Sequence, residues 1–215
     1  MRIFKLSLMA LALASTSALA WADDAKDKCP GVCASGGACC ITAGMEKLPK
    51  IAYMVGEQTL CCEESAKSVA ASTKTKLVYA VGKEKFESSD KAFVSLVDQT
   101  EKFVAAFATP STCKESGTTT VAGECVECSV KAGEIAAKVK KAMDTVAIAY
   151  KVGDKTCNCP IEAKTIAAAK KAKTIFVVEK EETECEQTAR LNLARAKYKA
   201  ALIALATEKT ESKVQ

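Results

Sequence analysis

An internal duplication is the feature that most constrains this chain. Residues 51–81 (IAYMVGEQTLCCEESAKSVAASTKTKLVYAV) align without a gap with residues 148–178 (IAYKVGDKTCNCPIEAKTIAAAKKAKTIFVV), and 14 of the 31 positions are identical. Weaker matches continue as far as Leu96 and Leu193, and we infer a duplication of roughly 57 residues. A repeat of this size is typical of one supersecondary unit used twice.

A shorter motif recurs inside each copy. A valine stands two residues after an aromatic residue, a cysteine or serine follows the valine by seven residues, and an alanine follows four residues later. In the first occurrence these residues are Tyr53, Val55, Cys62 and Ala66. We find five occurrences, one of which has Thr119 in place of the aromatic residue, and a degenerate sixth, which ends at Cys40 with Gly44 in place of the alanine.

The motif predicts a β-hairpin followed by a helix. Residues 51–55 alternate as a short strand, the glycine supplies the turn, and residues 58–61 return. Cys159, Pro160 and Glu162 are typical of the N-cap, the first helical residue and the first turn of a helix. The alanine one turn later allows the helix to lie close to the hairpin. We therefore predict an α+β fold of tandem β-hairpin–helix repeats, two ββαββα units joined by a half-unit.

The predicted organisation divides the chain into six segments. They are a signal peptide (1–22), a Cys-rich flexible N-terminal segment (23–49), the first ββαββα repeat (50–108), a linking hairpin–helix half-unit (109–146), the second ββαββα repeat (147–207) and a disordered tail (208–215).

The first residues predict export. Arg2 and Lys5 precede an apolar stretch too short to span a bilayer, and small residues around Ala20 offer two cleavage sites. We expect a periplasmic or secreted protein with no membrane span after cleavage of the signal. Without the signal its net charge is about +3, and interleaved lysines and glutamates give no basic stripe for nucleic acid. The sequence has no histidine, which excludes Ser-His-Asp and Cys-His catalysis.

Twelve cysteines are the candidate functional residues. They are residues 29, 33, 39, 40, 61, 62, 113, 125, 128, 157, 159 and 185. Several stand at the predicted helix starts, where backbone N–H groups favour a thiolate, although acidic residues such as Glu63 and Glu64 in the same turns oppose that effect. Close pairs are typical of soft-metal chelation. The candidate metal ligands are Cys61, Cys62, Cys125, Cys128, Cys157, Cys159 and Cys185.

Three functions fit these cysteines. The first is non-catalytic binding of a soft metal ion, Cu(I) or zinc. The second is a disulfide-stapled structural or protein-binding module of the cell envelope, in which Cys159 and Cys185 could meet if the two halves of a unit faced each other. The third is a thiol–disulfide oxidoreductase, which CVEC disfavours because Cys128, its second cysteine, takes the N-cap position. An even number of cysteines in an oxidising compartment makes disulfides the default expectation.

The junction sequence AYKVGDKTCNCPIEAK resembles the core of YHS/TRASH-type modules. Tyr150, Gly153 and Cys159 match the tyrosine, glycine and helix-start cysteine of those modules, whereas Ala163 stands near the place of their last cysteine. The resemblance implies a metal-handling role related to copper and mercury systems, with Cys157 or Cys61 as the second ligand. The whole chain also resembles exported Cys-rich repeat proteins of bacteria, which implies no enzymatic activity. An envelope protein is a second expected partner.

Overall fold

Short antiparallel strands alternate with helices along the chain. The computed structural model describes residues 38–114 and 117–211. The helices there are α1 (Ala38–Met45), α2 (Glu63–Thr73), α3 (Ser89–Phe107), α4 (Ser129–Asp144), α5 (Pro160–Lys170) and α6 (Glu186–Glu211). The strands are β1 (Ile51–Val55), β2 (Gln58–Leu60), β3 (Leu77–Val81), β4 (Glu84–Phe86), β5 (Ser111–Thr112), β6 (Thr119–Val121), β7 (Glu124–Val126), β8 (Ile148–Val152), β9 (Lys155–Cys157), β10 (Thr174–Val178) and β11 (Glu181–Thr183). The α+β class expected from the sequence is confirmed.

The strands form two four-stranded sheets and one three-stranded sheet in the described part of the chain. The strand orders are β2-β1-β3-β4, β11-β10-β8-β9 and β5-β6-β7. In both larger sheets two hairpins meet through their first strands, which places Tyr53 opposite Tyr79 and Tyr150 opposite Phe176. The two ring pairs stack edge to face with centroids 5.9 and 5.8 Å apart. The short strand β5 was not predicted.

Each hairpin that leads into a helix turns through two residues. Val55 pairs with Gln58 and Val152 with Lys155, so that only two residues join the strands. Gly56 and Gly153 have φ angles of +61° and +60°, a conformation that glycine adopts without steric cost. Glu179 takes the same place between β10 and β11 with φ +54°.

A buried alanine is the fourth residue of every helix that follows a hairpin. These alanines are at most 1% exposed, and their N–H groups donate to the carbonyl of the residue before the helix at 3.0–3.1 Å. They are Ala66, Ala92, Ala132, Ala163 and Ala189. Because alanine has no side-chain atom beyond Cβ, each helix lies directly on its hairpin.

Helix α6 is the helix against which three other helices pack. It packs against α1, α3 and α4 in a core that contains Tyr198, which is 1% exposed and donates its hydroxyl to the Gly44 carbonyl at 3.2 Å. A Cβ on Gly44 would lie 2.5 Å from the side chain of Leu202, so that any other residue would require Leu202 to shift. Across α3, Arg190 donates two bonds to Glu101 and one to Asp98 at 2.6–3.0 Å.

Two predicted boundaries differ from the structure. Helix α1 lies within the segment 23–49 that was predicted to be flexible, and residues 23–37 of that segment lie outside the described residues. Helix α6 continues to Glu211, four residues into the predicted tail, because the Lys-Glu-Thr end of the chain still contains good helix formers. The predicted signal peptide and residues 212–215 also lie outside the described ranges. None of the helices in the described ranges is both long and apolar enough to cross a membrane.

Candidate functional site

Five equivalent positions connect a hairpin to a helix. Four of them hold cysteine, namely Cys62, Cys128, Cys159 and Cys185, and the fifth holds Ser88. Each residue precedes the first helical residue directly, and the backbone at Cys62, Ser88, Cys128 and Cys159 is extended. The four thiols are exposed. The hairpin–helix junction therefore presents a sulfur atom to solvent at a helix N-terminus.

Cys62 is held by the first turn of α2. Its thiol donates to the hydroxyl of Ser65 at 2.9 Å. The Ser65 hydroxyl, followed by the Ser65 N–H, lowers the pKa of the Cys62 thiol, while the charge of Glu64 opposes this effect. The neutral thiol forms no cap bond to the helix backbone, but the thiolate is a stronger acceptor for the same N–H.

Glu63, in the first turn of α2, is paired with two neighbouring side chains. Its carboxylate bonds to Lys67 at 2.8 Å and accepts the Tyr79 hydroxyl at 3.1 Å. Lys67, followed by Tyr79, lowers the pKa of Glu63. Of the two glutamates, Glu64 opposes the lowered pKa of Cys62, as burial of the thiol also does.

Cys185 has the same surroundings at the start of α6. The hydroxyl of Thr188, followed by the Thr188 N–H, lowers the pKa of the Cys185 thiol, and Glu186 opposes this. Ser65 and Thr188 both stand three residues after the junction cysteine. Our sequence analysis did not select them, although the spacing Cys-x-x-Ser/Thr is visible in the sequence and is typical of a side chain that returns to the N-cap.

Cys61 lies beside Cys62. The thiol of Cys61 is exposed and close enough to Cys62 to lower the pKa of that thiol. Successive side chains of a regular strand point to opposite faces, but the chain bends at these two residues between β2 and α2. At the bend this alternation does not hold, and both thiols are exposed.

Cys157 and Cys159 are arranged differently. Cys157 pairs with Tyr150 in the sheet, so its side chain shares the sheet face on which the helices pack, and it is half-buried. Its thiol donates to the carbonyl of Cys159 at 3.8 Å. Leu60 occupies the same register position in the first sheet, opposite Tyr53. Cys157 thus fills a position that an apolar side chain fills in the other copy.

The two cysteines of CVEC lie in different places: Cys125 lies within β7, and Cys128 follows the end of that strand. Cys125 pairs with Thr120, and their side chains lie 4.0 Å apart on the exposed face of the sheet. The neighbouring Thr119 and Val121 are buried on the opposite face. Cys128 follows two residues after the strand ends. The spacing of Cys125 and Cys128 in the sequence therefore does not indicate a converging pair.

Cys159 and Cys185 follow opposite edges of one sheet. The residues two positions before them, Cys157 and Thr183, are separated by β8 and β10, roughly 14 Å at the usual strand spacing. A disulfide requires Cα atoms within about 7 Å. No bond joins them, and the possibility that they meet as equivalent halves of a unit is not realised.

The seven predicted ligands do not form a larger cluster. None of them is in a disulfide, and no group of three or more metal-ligating side chains occurs among residues 38–114 and 117–211. The two principal surface hollows, of about 270 and 240 Å³, are lined by residues of β4, α3, α4 and α6 and by no cysteine. The arrangement offers exposed thiols singly and, at Cys61 and Cys62, as an adjacent pair.

Comparison with known proteins gives no relative for this chain: no protein-family model, curated protein or solved structure matches it.

Proposed function

We propose that this is an exported, non-catalytic repeat protein that binds a soft metal ion through paired cysteines at its hairpin–helix junctions. In this proposal the chain consists of tandem hairpin–helix repeats, two ββαββα units joined by a half-unit, and it works in the periplasm or outside the cell. The buried alanine shared by all five junctions, and the exposed cysteine shared by four of them, support a common unit.

The observation that carries the metal proposal is the pair of exposed thiols at the start of α2. Cys62 has a lowered pKa and Cys61 lies beside it, so that a metal ion could displace the protons of both at neutral pH. Thiolates select soft ions such as Cu(I). Zinc in a structural site takes four ligands, whereas a pair of thiolates suits two-coordinate Cu(I). We therefore propose Cu(I) before zinc as the ion that the pair binds.

The resemblance to metal-handling YHS/TRASH-type modules supports the same function. Those modules also place a cysteine where a short hairpin leads into a helix. In this chain Cys61 would supply the second sulfur of the first repeat. Cys157 would do so less readily in the second repeat, since its side chain faces the packed side of its sheet.

A competition titration tests the proposal. The reduced full chain is titrated with Cu(I) in the absence of oxygen, and a coloured Cu(I) chelator reports the affinity of the chain for the ion. The chain itself supplies the substitutions: Cys61→Asn introduces the residue found at position 158, and Cys62→Ser introduces the residue found at position 88. Each should weaken the affinity of the tightest Cu(I) site by roughly 100-fold or more, because that is the gain in affinity that a second tethered ligand contributes.

Cys125→Ser is the matched control, since it removes an exposed thiol that has no cysteine beside it. It should leave the tightest site unchanged. Equal Cu(I) affinity of the parent, Cys61→Asn and Cys62→Ser chains would contradict the proposal. Disulfides that involve most of the cysteines in the exported protein would favour a disulfide-stapled envelope module instead. Reduction of a disulfide substrate that is lost on Cys125→Ser would favour an oxidoreductase.

A further inference from the structure

The Cys61–Cys62 pair differs from the pairs Cys125–Cys128 and Cys157–Cys159 because its two cysteines are adjacent and both lie in the bend between β2 and α2. Both thiols are exposed, and neither is in a disulfide. Cys125, by contrast, lies on the exposed face of its sheet, and the half-buried Cys157 lies on the packed face of its sheet. An accessible dithiol on adjacent residues is a chelating group in its own right.

Adjacent cysteines favour a ligand atom between their sulfur atoms over a direct bond. A disulfide between neighbours closes an eight-membered ring that includes a peptide bond, and the short S–S distance strains it. Insertion of one larger atom between the sulfur atoms enlarges the ring to nine members and relaxes the distance. The Ser65 hydroxyl, 2.9 Å from the Cys62 sulfur, holds one end of this ring in place.

We propose that Cys61 and Cys62 form a binding site for monosubstituted trivalent arsenicals, compounds of the type R–As=O. The two thiols condense with the compound to form two As–S bonds. The arsenic-bound oxygen leaves as water with the two thiol protons, and arsenic stays trivalent, so that no oxidant or reductant is needed.

The number of sulfur atoms selects this ligand class. In R–As=O one valence of arsenic is already bound to carbon, and the two thiolates satisfy the remaining two. Inorganic arsenite has three valences that thiolates can fill and structural zinc takes four ligands, and no group of the described residues offers three or more. The inference uses the same dithiol as the proposed function but does not depend on Cu(I) binding.

Phenylarsine oxide is the probe for the test, applied to the reduced full chain. Cys39 and Cys40 are the other adjacent cysteines in the sequence, so the experiment uses a Cys39→Ser/Cys40→Ser background in which the Cys61–Cys62 dithiol is the one adjacent pair. When phenylarsine oxide is added up to one molar equivalent per chain, we expect intact mass to show a single bound arsenical. Peptide mapping should place it on residues 61–62. Cys61→Asn and Cys62→Ser should each weaken its binding by roughly 100-fold, the loss expected when a chelate becomes a single contact.

The second copy offers a gain-of-function variant. Asn158→Cys combined with Cys157→Leu gives residues 157–159 the Leu-Cys-Cys sequence that the first copy has at residues 60–62. A second tight equivalent of phenylarsine oxide on that peptide would support the inference. Cys125→Ser should bind as the background does. Because the side chains of Cys61, Cys62, Cys125 and Asn158 are exposed, and leucine already fills the register position of Cys157 in the first sheet, far-ultraviolet circular dichroism equal to that of the background is expected for these variants and serves as the folding control.

Three results would overturn the inference. They are a first equivalent that maps to residues 125–128 or 157–159, binding by Cys61→Asn equal to that of the background, and no bound arsenical at all. Parallel Cu(I) titration separates the two proposals. Arsenical bound at residues 61–62 without Cu(I) would contradict the proposed function alone, and Cu(I) bound there without arsenical would contradict this inference alone.

Discussion

Replacing Ala163 with leucine tests the packing rule that brings each junction cysteine to its place. Ala163 is 1% exposed, and its N–H donates to the Cys159 carbonyl at 3.0 Å, so that its Cβ points into the contact between α5 and the hairpin. Leucine adds three carbon atoms where the helix lies directly on the sheet. Overpacking of this kind costs about 1–3 kcal/mol.

Ala168→Leu is the matched control. Ala168 belongs to the same helix but is exposed, and because leucine and alanine have similar helix propensity this change should alter stability by less than about 0.5 kcal/mol. In a chain of this size 1 kcal/mol moves Tm by roughly 2–4 °C, so Ala163→Leu should melt roughly 2–12 °C below Ala168→Leu in reducing buffer. Equal melting temperatures would refute the view that the alanine permits the close approach of helix and hairpin.

Three further changes test other parts of the structure. Glu179→Gly should raise the free energy of unfolding by about 1 kcal/mol, since glycine suits φ +54° and the exposed ion pair to Lys199 at 3.8 Å contributes little; unchanged stability in urea would contradict this. Ser65→Ala should slow alkylation of Cys62 at neutral pH, because the pKa of that thiol rises towards its ordinary value, and the rates should converge once the pH exceeds both pKa values; equal rates at neutral pH by peptide mass spectrometry would count against the bond. Arg190→Met should destabilise the chain by about 1 kcal/mol, a value discounted because the ion pairs are partly exposed, and the loss should shrink at high salt; a salt-independent loss in urea denaturation would show that the charges are not responsible.

Local structure was largely readable from the sequence. The glycine of each Val-Gly turn and the alanine after each junction occupy positions where other side chains are strained or do not fit, so they recur visibly. Helix α5 begins at Pro160, as the N-cap cysteine and the proline after it predict. The packing of the helices was not readable, because a periodic apolar face indicates burial but not the partner. Tyr198 bonds to Gly44, a residue 154 positions away.

The direction of each thiol also required the structure. Cys125 and Cys157 are both strand cysteines close to an N-cap cysteine, yet they point to opposite faces of their sheets. A shift of one residue along a strand reverses the face, and spacing in the sequence alone does not give the register. Cys61 and Cys62 lie in a bend and not in a strand, and the adjacency of two letters does not reveal a bend.

The central claim is that Cys61 and Cys62 bind Cu(I). Its most direct test is to measure metal content and free thiols together on the exported protein, isolated without chelator. We expect about one copper ion per chain, and we expect Cys61 and Cys62 to become reactive towards an alkylating reagent only after a Cu(I) chelator is added. Protein with all twelve cysteines oxidised and no bound metal would contradict the claim.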